Sequence, residues 1–166
     1  MSSRHDASIW AVQFLFKRDF NDTELEAALD VFWQERKANP KARVFCEALI
    51  RGVELYRDEI DERLRNYAEH WSLERMGAVD RNIMRVALFE MLFCKEIPPV
   101  ISINEAVDLA KELSGRESGK FVNGILDRAR KDLDRPARVS AKKKAVPPKP
   151  KEPAFDDEEE AKDDDE

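Results

Sequence analysis

Long apolar runs and paired cysteines are both missing from this chain of 166 residues. No stretch approaches the roughly 20 consecutive apolar residues that a membrane-spanning helix needs, and the N-terminal sequence MSSRHDASIW lacks the apolar run of a signal peptide. We therefore expect a soluble cytoplasmic protein with no membrane partner. The two cysteines, Cys46 and Cys94, have no CxxC or Cys/His spacing, so we expect reduced core residues and neither a disulfide nor a metal site.

The short motifs that identify common enzyme classes are missing as well. There is no GxxxxGK(S/T) phosphate loop, no GxSxG nucleophile turn and no HExxH metal helix. The two histidines, His5 and His70, have no nucleophile or metal-ligand pattern beside them, and the carboxylates are scattered over predicted helix exteriors. These absences favour a binding protein over an enzyme, with no cofactor.

Charge is distributed unevenly along the chain. The net charge of −6 is made up of −4 over residues 1–134, +6 over residues 135–150 and −8 over residues 151–166. Beyond residue 134 the sequence also has little apolar content and several prolines, so it cannot bury enough surface to offset the entropy of ordering. We therefore predict one folded domain, residues 1–134, and a disordered tail, residues 135–166, that is first basic and then acidic.

Apolar residues of the predicted domain recur with the 3.6-residue period of a helix, and strand-like alternation is nearly absent, so the predicted fold class is all-α. The pattern gives about seven helical segments: residues 3–19, a segment opened by a capping box at Thr23, residues 40–69, a short turn at 73–76, residues 79–93, a segment opened by a second capping box at Ser102 and ending at Leu113, and residues 117–133. Short connections favour two antiparallel helical groups around one core.

Three residues inside these helices are unusual for their positions. Gly124 lies within the last predicted helix, where glycine costs about 1 kcal/mol relative to alanine, and so predicts a close helix contact. Arg85 and Glu90 lie near apolar helix faces, where buried polar groups must find partners. We expect internal bridges for both and a structural role for Arg85.

Four sequence blocks resemble the NusB family of transcription antitermination factors. They are AVQFLF at residues 11–16, the pattern DRxIxRxAxxE at residues 80–90, IPPVISINEAVDLAKELS at residues 97–114 and SGKFVNGIL at residues 118–126. The blocks occur in the family order and the resemblance spans about residues 4–133. It implies the NusB-like helical fold for the predicted domain.

The resemblance also implies a function. Family members bind a boxA-type single-stranded element of ribosomal RNA transcripts as a heterodimer with NusE, a ribosomal small-subunit protein. The pair joins the RNA polymerase elongation complex with other Nus factors and supports transcription and maturation of ribosomal RNA. Single-stranded RNA is read by base stacking and by basic side chains along the phosphates, which suits such a module. A homodimer that hides the RNA surface is a further state that the resemblance allows.

Carried over position by position, the resemblance assigns RNA contact to six residues, namely Arg4, His5, Phe16, Glu117, Lys120 and Phe121. It assigns contact with NusE to Asp80 and to the nearby Glu74. For the two aromatic residues the spacing leaves an alternative open, because Phe16 and Phe121 each also suit a core-facing position.

One departure from the family pattern favours a second hypothesis. Where the family has an arginine-rich stretch on the first helix, this chain has RHDAS at residues 4–8, and each lost phosphate contact weakens RNA affinity. The alternative is therefore a helical protein-interaction module with reduced RNA binding. A related hypothesis is that the acidic residues 156–166 fold back on basic surface and compete with RNA.

Overall fold

The computed structural model describes residues 4–68 and 72–134, which form seven α-helices with short connections. The helices are α1 Arg4–Phe20, α2 Leu25–Gln34, α3 Pro40–Leu55, α4 Arg57–Tyr67, α5 Ala78–Phe93, α6 Pro99–Leu113 and α7 Arg116–Asp134. Within those two ranges no residue is in a β-strand, and none of the seven helices is long and apolar enough to cross a bilayer. The predicted all-α fold class is confirmed. The predicted tail, residues 135–166, lies outside the described residues.

Helix α5 is the centre of the domain. It packs against α1, α3, α4, α6 and α7, and residues 82–91 are all buried. Arg4 of α1 bonds to Glu90 near the end of α5, whereas Asp19 near the end of α1 bonds to Asn82 near the start of α5. The two helices are therefore antiparallel, and polar side chains on α5 must find partners within the core.

Helix α2 is held on α1 largely by aromatic side chains. The rings of Phe14 and Phe32 meet edge to face at 5.3 Å, and those of Trp10 and Trp33 at 6.0 Å. Such geometries bring the positive edge of one ring to the negative face of the other. These contacts explain why an amphipathic helix of ten residues stays on the domain.

The capping box predicted at Thr23 is wrong. Helix α2 begins one residue later, because the carboxylate of Glu24 accepts hydrogen bonds from the backbone N–H groups of Glu26 and Ala27, at 3.2 and 3.1 Å. A carboxylate at this position satisfies free donors and complements the positive end of the helix dipole. Thr23 is exposed, and its carbonyl accepts a bond from Arg18 instead.

The single long helix predicted over residues 40–69 is also wrong. It is divided at Tyr56, whose φ of −106° and ψ of 17° lie outside the α-helical region. The ring of Tyr56 stacks on Phe93 of α5 with centroids 4.0 Å apart. Because of this bend, α3 packs against α1 and α5, whereas α4 packs against α5 and α7.

The short turn of helix predicted at 73–76 is a turn in which the backbone N–H groups of Arg75 and Met76 donate to the carbonyl of Ser72.

Helix α6 does not begin at a capping box at Ser102. It begins at Pro99, with Pro98 as its N-cap residue, because proline at the first helical position needs no backbone donor and already has a helical φ. Ser102 lies one turn inside the helix and is buried, and its hydroxyl donates to Glu90 of α5 at 3.0 Å. The Ser102 side chain therefore forms a contact with α5 and does not cap α6.

The close contact predicted at Gly124 is wrong as well, since a Cβ there would have no neighbour within 4 Å. The close approach occurs at Gly52 of α3, where a Cβ would lie 2.1 Å from the ring of Phe89. Gly115, just past α6, has a φ of 117° and ends that helix as predicted.

Neither Cys46 nor Cys94 forms a disulfide, and burial raises the pKa of the Cys46 thiol well above its usual range.

Candidate nucleic-acid and partner interface

A shallow groove lies where the start of α7 meets the start of α5 and the turn before it. We call it the α7 groove, and it is lined by Arg75, Met76, Gly77, Asp80, Glu117, Ser118 and Phe121. The groove thus brings together three of the predicted site residues, two expected at RNA and one expected at NusE. Helix α7 packs closely on α6 next to this groove because Gly119 has no side chain. Gly119 is buried against the aliphatic part of Lys111 on α6, and a Cβ at position 119 would lie only 2.7 Å from the Lys111 Cγ.

Two residues expected at RNA, Glu117 and Phe121, line the α7 groove, and the third, Lys120, lies beside Glu117 on α7. Phe121 is half-buried and packs against the core, so part of its ring is held and part faces the groove. Lys120 and Glu117 are both exposed and form an ion pair at 3.7 Å. An exposed pair of this kind contributes little and is screened by salt, so Lys120 can exchange its partner for a phosphate at small cost.

Of the two residues expected at NusE, Asp80 lines the α7 groove and Glu74 is exposed in the preceding turn. The Oδ2 atom of Asp80 accepts a hydrogen bond from the Ser118 hydroxyl at 3.0 Å, which joins α5 to α7. Its Oδ1 atom is buried and has no hydrogen-bond partner within the described part of the chain. A buried acceptor without a partner costs free energy, and this oxygen can meet a donor from another molecule only if its surroundings rearrange.

Arg4, expected at RNA, makes internal contacts. Its Nη2 lies 2.8 Å from Oε2 of Glu90, and its guanidinium lies over the ring of Phe45 at 5.3 Å. Burial raises the pKa of Glu90, although Arg4 and Ser102 favour its ionised form. Arg4, in the first turn of α1, therefore neutralises the buried carboxylate of Glu90. The resemblance assigns this same arginine to contact with an RNA phosphate.

His5 lies between two carboxylates of α6. Its Nδ1 is 2.9 Å from Glu105 and its Nε2 is 2.9 Å from Glu112. Burial disfavours the charged imidazole, but the hydrogen bonds that its ring donates to Glu112 and Glu105 outweigh that effect and raise the pKa of His5. His5 thus binds α1 to α6 most strongly when it is protonated.

Phe16 lies on the surface rather than in the core. It is 37% exposed, and its ring packs against that of Phe20 with centroids 5.1 Å apart. Arg4 and Phe16 are separated by about 18 Å along α1, given a rise of 1.5 Å per residue. The predicted RNA residues are therefore distributed over the two ends of α1 and the α7 groove.

The sequence interpretation missed a buried ionic cluster around Asp19. This carboxylate accepts bonds from Arg57, Arg81, Asn82 and Arg85. Burial would raise the pKa of Asp19, but the bonds from Arg81 and Asn82 and the charge of Arg85 hold it below its ordinary value. The one sequence signal for this cluster is the spacing of Arg81 and Arg85, which places both arginines on the same face of α5.

Arg85 is structural, as predicted. It donates two bonds to Asp61 of α4, from Nε at 2.7 Å and from Nη2 at 2.9 Å, and further bonds to Asp19. This two-pronged arrangement is the geometry in which guanidinium and carboxylate bind most strongly. It fixes α1, α4 and α5 relative to each other.

Comparisons with known proteins show the family of this chain. The model of the NusB family matches residues 5–131. The transcription antitermination protein NusB of Desulfosudis oleivorans is 39% identical over 136 residues, which are 80% of this chain and 88% of that protein. The corresponding protein of Myxococcus xanthus is 36% identical over 140 residues, 82% of this chain and all of that protein.

Solved structures have the same fold. NusB of T. maritima superposes with a TM-score of 0.72 at 39% identity, covering 80% of this chain and 94% of that one. A structure of antitermination factors NusB and NusE in complex with double-stranded RNA matches with a TM-score of 0.71 at 27% identity, covering 78% of this chain and 96% of that one. From its family match, its relatives and its fold, this chain belongs to the NusB family.

Proposed function

We propose that this chain is a transcription antitermination factor that binds boxA-type single-stranded RNA of ribosomal RNA transcripts together with NusE. The observation that carries the proposal is the α7 groove, where the ring of Phe121 lies beside the acidic Asp80 and the weakly paired Lys120 is next to it on α7. A 27% identical relative was solved with NusE and double-stranded RNA, which supports both partners.

The residues divide into two roles under this proposal. Phe121 provides a face for a base to stack on, and Lys120 contacts a phosphate beside it. Glu117 lies at the edge of the bound RNA, and Phe16, exposed next to Phe20, offers a second aromatic contact. Aromatic stacking suits single-stranded RNA because unstacked bases present their faces.

NusE is proposed to bind at Asp80 and Glu74. The carboxylates of Asp80 and Glu74 both accept hydrogen bonds from a basic partner, and ribosomal proteins are commonly basic where they contact RNA. The pair then joins elongating RNA polymerase with other Nus factors, in the cytoplasm. The chain acts by binding, without a cofactor and without turnover.

A second candidate function is a protein-interaction module with reduced RNA binding. It is favoured by one observation, namely that Arg4 and His5 are engaged by Glu90, Glu105 and Glu112. For these two cations to contact phosphate they must leave carboxylates that are already close. On this alternative, NusE binding is retained and RNA adds little.

Transcription in vitro tests the proposal. A template carrying boxA upstream of a terminator is transcribed with RNA polymerase, NusE and the other Nus factors, with or without this chain. We expect the chain to increase readthrough on the intact template and to leave readthrough unchanged when boxA is scrambled. An equal effect on both templates, or no effect on either, would contradict the proposed function.

A further inference from the structure

A second groove, between α1 and α2, has no part in the function proposed above. We call it the α1–α2 groove. Its floor is apolar and formed by Phe14, Ala27, Ala28, Val31 and Phe32, and charged residues at its edge are Lys17, Arg18 and Glu35. An apolar floor with a mainly basic edge fits an apolar side chain that is followed by acidic ones.

The basic edge has one cation that lacks a carboxylate. Arg18 is occupied, because it pairs with Glu54 at 3.1 Å. Lys17 is exposed and forms no ion pair with any residue in 4–68 or 72–134. Arg36 is half-buried and lies next to the groove without lining it, and it also forms no ion pair within those two ranges. The guanidinium of Arg36 stacks on the ring of Phe32, 3.8 Å from its centroid, which holds this cation beside the floor. Glu35 is the one acidic group at this edge.

The same chain contains a segment of matching chemistry. Residues 153–160 read PAFDDEEE, in which Phe155 is the only aromatic residue of 135–166 and five acidic residues follow it directly. The chain between Asp134 and Phe155 can span up to roughly 70 Å, whereas a domain of this size is about 36 Å across. The segment can therefore reach any part of the domain surface.

We propose that the α1–α2 groove is the docking site of this chain's own residues 153–160. Phe155 lies on the apolar floor, and the acidic residues that follow it face Lys17 and Arg36. A tether of this length gives an effective concentration on the order of millimolar, so even a contact that would be weak between separate molecules is substantially occupied. Added salt weakens the acidic part of the contact and leaves the aromatic part.

Docking has a consequence for RNA. Lys17 follows Phe16 directly on α1, so the docked segment places several negative charges beside a proposed RNA contact. Phosphates are repelled from that edge until the segment leaves. This consequence rests on the proposed function, whereas the docking itself does not.

Photo-crosslinking of the full-length chain tests the docking without RNA. Phe155 is replaced by photoreactive p-benzoylphenylalanine, and the adducts are mapped by mass spectrometry. We expect crosslinks within one molecule, to residues of the α1–α2 groove such as Val31. The substitution Lys17→Glu should lower their yield about two- to fivefold, which is the range expected for an exposed ion pair. The matched change Lys41→Glu, on an exposed lysine of α3 outside the groove, should leave the yield unchanged.

Three results would overturn the docking: crosslinks mainly between two copies, crosslinks mainly to another surface, or equal yields from Lys17→Glu and Lys41→Glu. Addition of boxA RNA then tests the consequence. A lower crosslink yield supports competition, and an unchanged yield with RNA bound contradicts it. If RNA does not bind at all while the crosslinks persist, the proposed function fails and the docking stands.

Discussion

Arg4 donates a hydrogen bond to Glu90 across 2.8 Å and so joins the first turn of α1 to the end of α5. The Glu90 side chain is only 3% exposed, whereas that of Arg4 is 34% exposed. Arg4 thus neutralises a charge that the core has removed from water. A residue that family resemblance assigns to RNA contact is thus expected to stabilise this domain.

Removal of Arg4 should therefore destabilise the protein. We expect Arg4→Ala to lower the free energy of unfolding by about 1–2 kcal/mol, because a buried carboxylate loses its cation. Urea denaturation measures the change, and Glu90→Gln provides the matched background. In that background Arg4→Ala should cost less than about 0.5 kcal/mol. Equal costs in both backgrounds would show that Arg4 does not stabilise Glu90.

Stability should depend on pH through His5. The pKa of His5 is raised in the folded protein, so its contribution is fully present below the unfolded value of about 6.5 and is lost as pH rises through the folded value. The comparison is between wild type and His5→Gln in urea from pH 5.5 to 8.5. Their difference should be below about 1 kcal/mol, since the side chain is 39% exposed, and should shrink with rising pH. Glu90 is common to both proteins, so its own titration cancels. A difference that grows with pH would refute the assignment.

Two glycines in helices should respond in opposite directions to alanine. Gly52→Ala places a Cβ 2.1 Å from the ring of Phe89, and we expect a loss of about 1–3 kcal/mol from overpacking. Gly124→Ala meets nothing within 4 Å, so the greater helix propensity of alanine should stabilise the protein by about 0.5–1 kcal/mol. Denaturation of both variants checks the pair. If Gly124→Ala is the more destabilising, the packing described here is wrong.

This contrast shows what the sequence could and could not predict. The stripe of apolar residues was sufficient for α1, α5 and α7, whose predicted bounds lie within one or two residues of the observed ones. The role of each glycine depended on a side chain distant in sequence, because Phe89 fills the space at Gly52 and nothing fills it at Gly124. The apolar periodicity of one helix does not show which side chain of another helix lies against a glycine.

The errors at Ser102 and Tyr56 have the same cause. The local sequence pattern predicted a helix start at Ser102, but its side chain bonds to Glu90 of α5 instead. The pattern also predicted an unbroken helix through Tyr56, but the helix is divided there and the Tyr56 ring stacks on Phe93 of α5. Arg85 was predicted correctly because a buried arginine has few alternatives to a carboxylate partner. Asp19 was missed because one acidic residue near a helix end resembles a solvated one.

The RNA edge of the α7 groove can be tested on Phe121 and Lys120. Phe121→Leu keeps an apolar group on the core but removes the ring, and we expect boxA affinity to fall by about 1–3 kcal/mol. Lys120→Gln should reduce the slope of log K against log salt by about 0.7, as for one phosphate contact of single-stranded RNA. Lys131→Gln, on an exposed lysine farther along α7, is the control for charge. Unfolding measurements on each variant separate a binding effect from a folding one, and loss of affinity only in proportion to lost stability would exclude direct contact.

The candidate site was predictable only in part. Family resemblance named Phe121 and Asp80, and the structure places both in one groove. It could not show that Arg4 and His5 are held by carboxylates of α5 and α6, because those partners lie 86 to 107 positions away in sequence. Whether these two cations also contact RNA depends on how readily they leave those partners.

Joint recognition of RNA by this chain and NusE is measured by the binding of a fluorescent boxA-type RNA to the full-length chain, with and without NusE, at two salt concentrations. A scrambled RNA of the same length is the control. We predict that NusE increases the affinity for boxA but not for the scrambled RNA, and that added salt weakens both. If NusE forms a complex with the chain but boxA binds no better than the scrambled RNA, the chain is an interaction module and the antitermination account is contradicted.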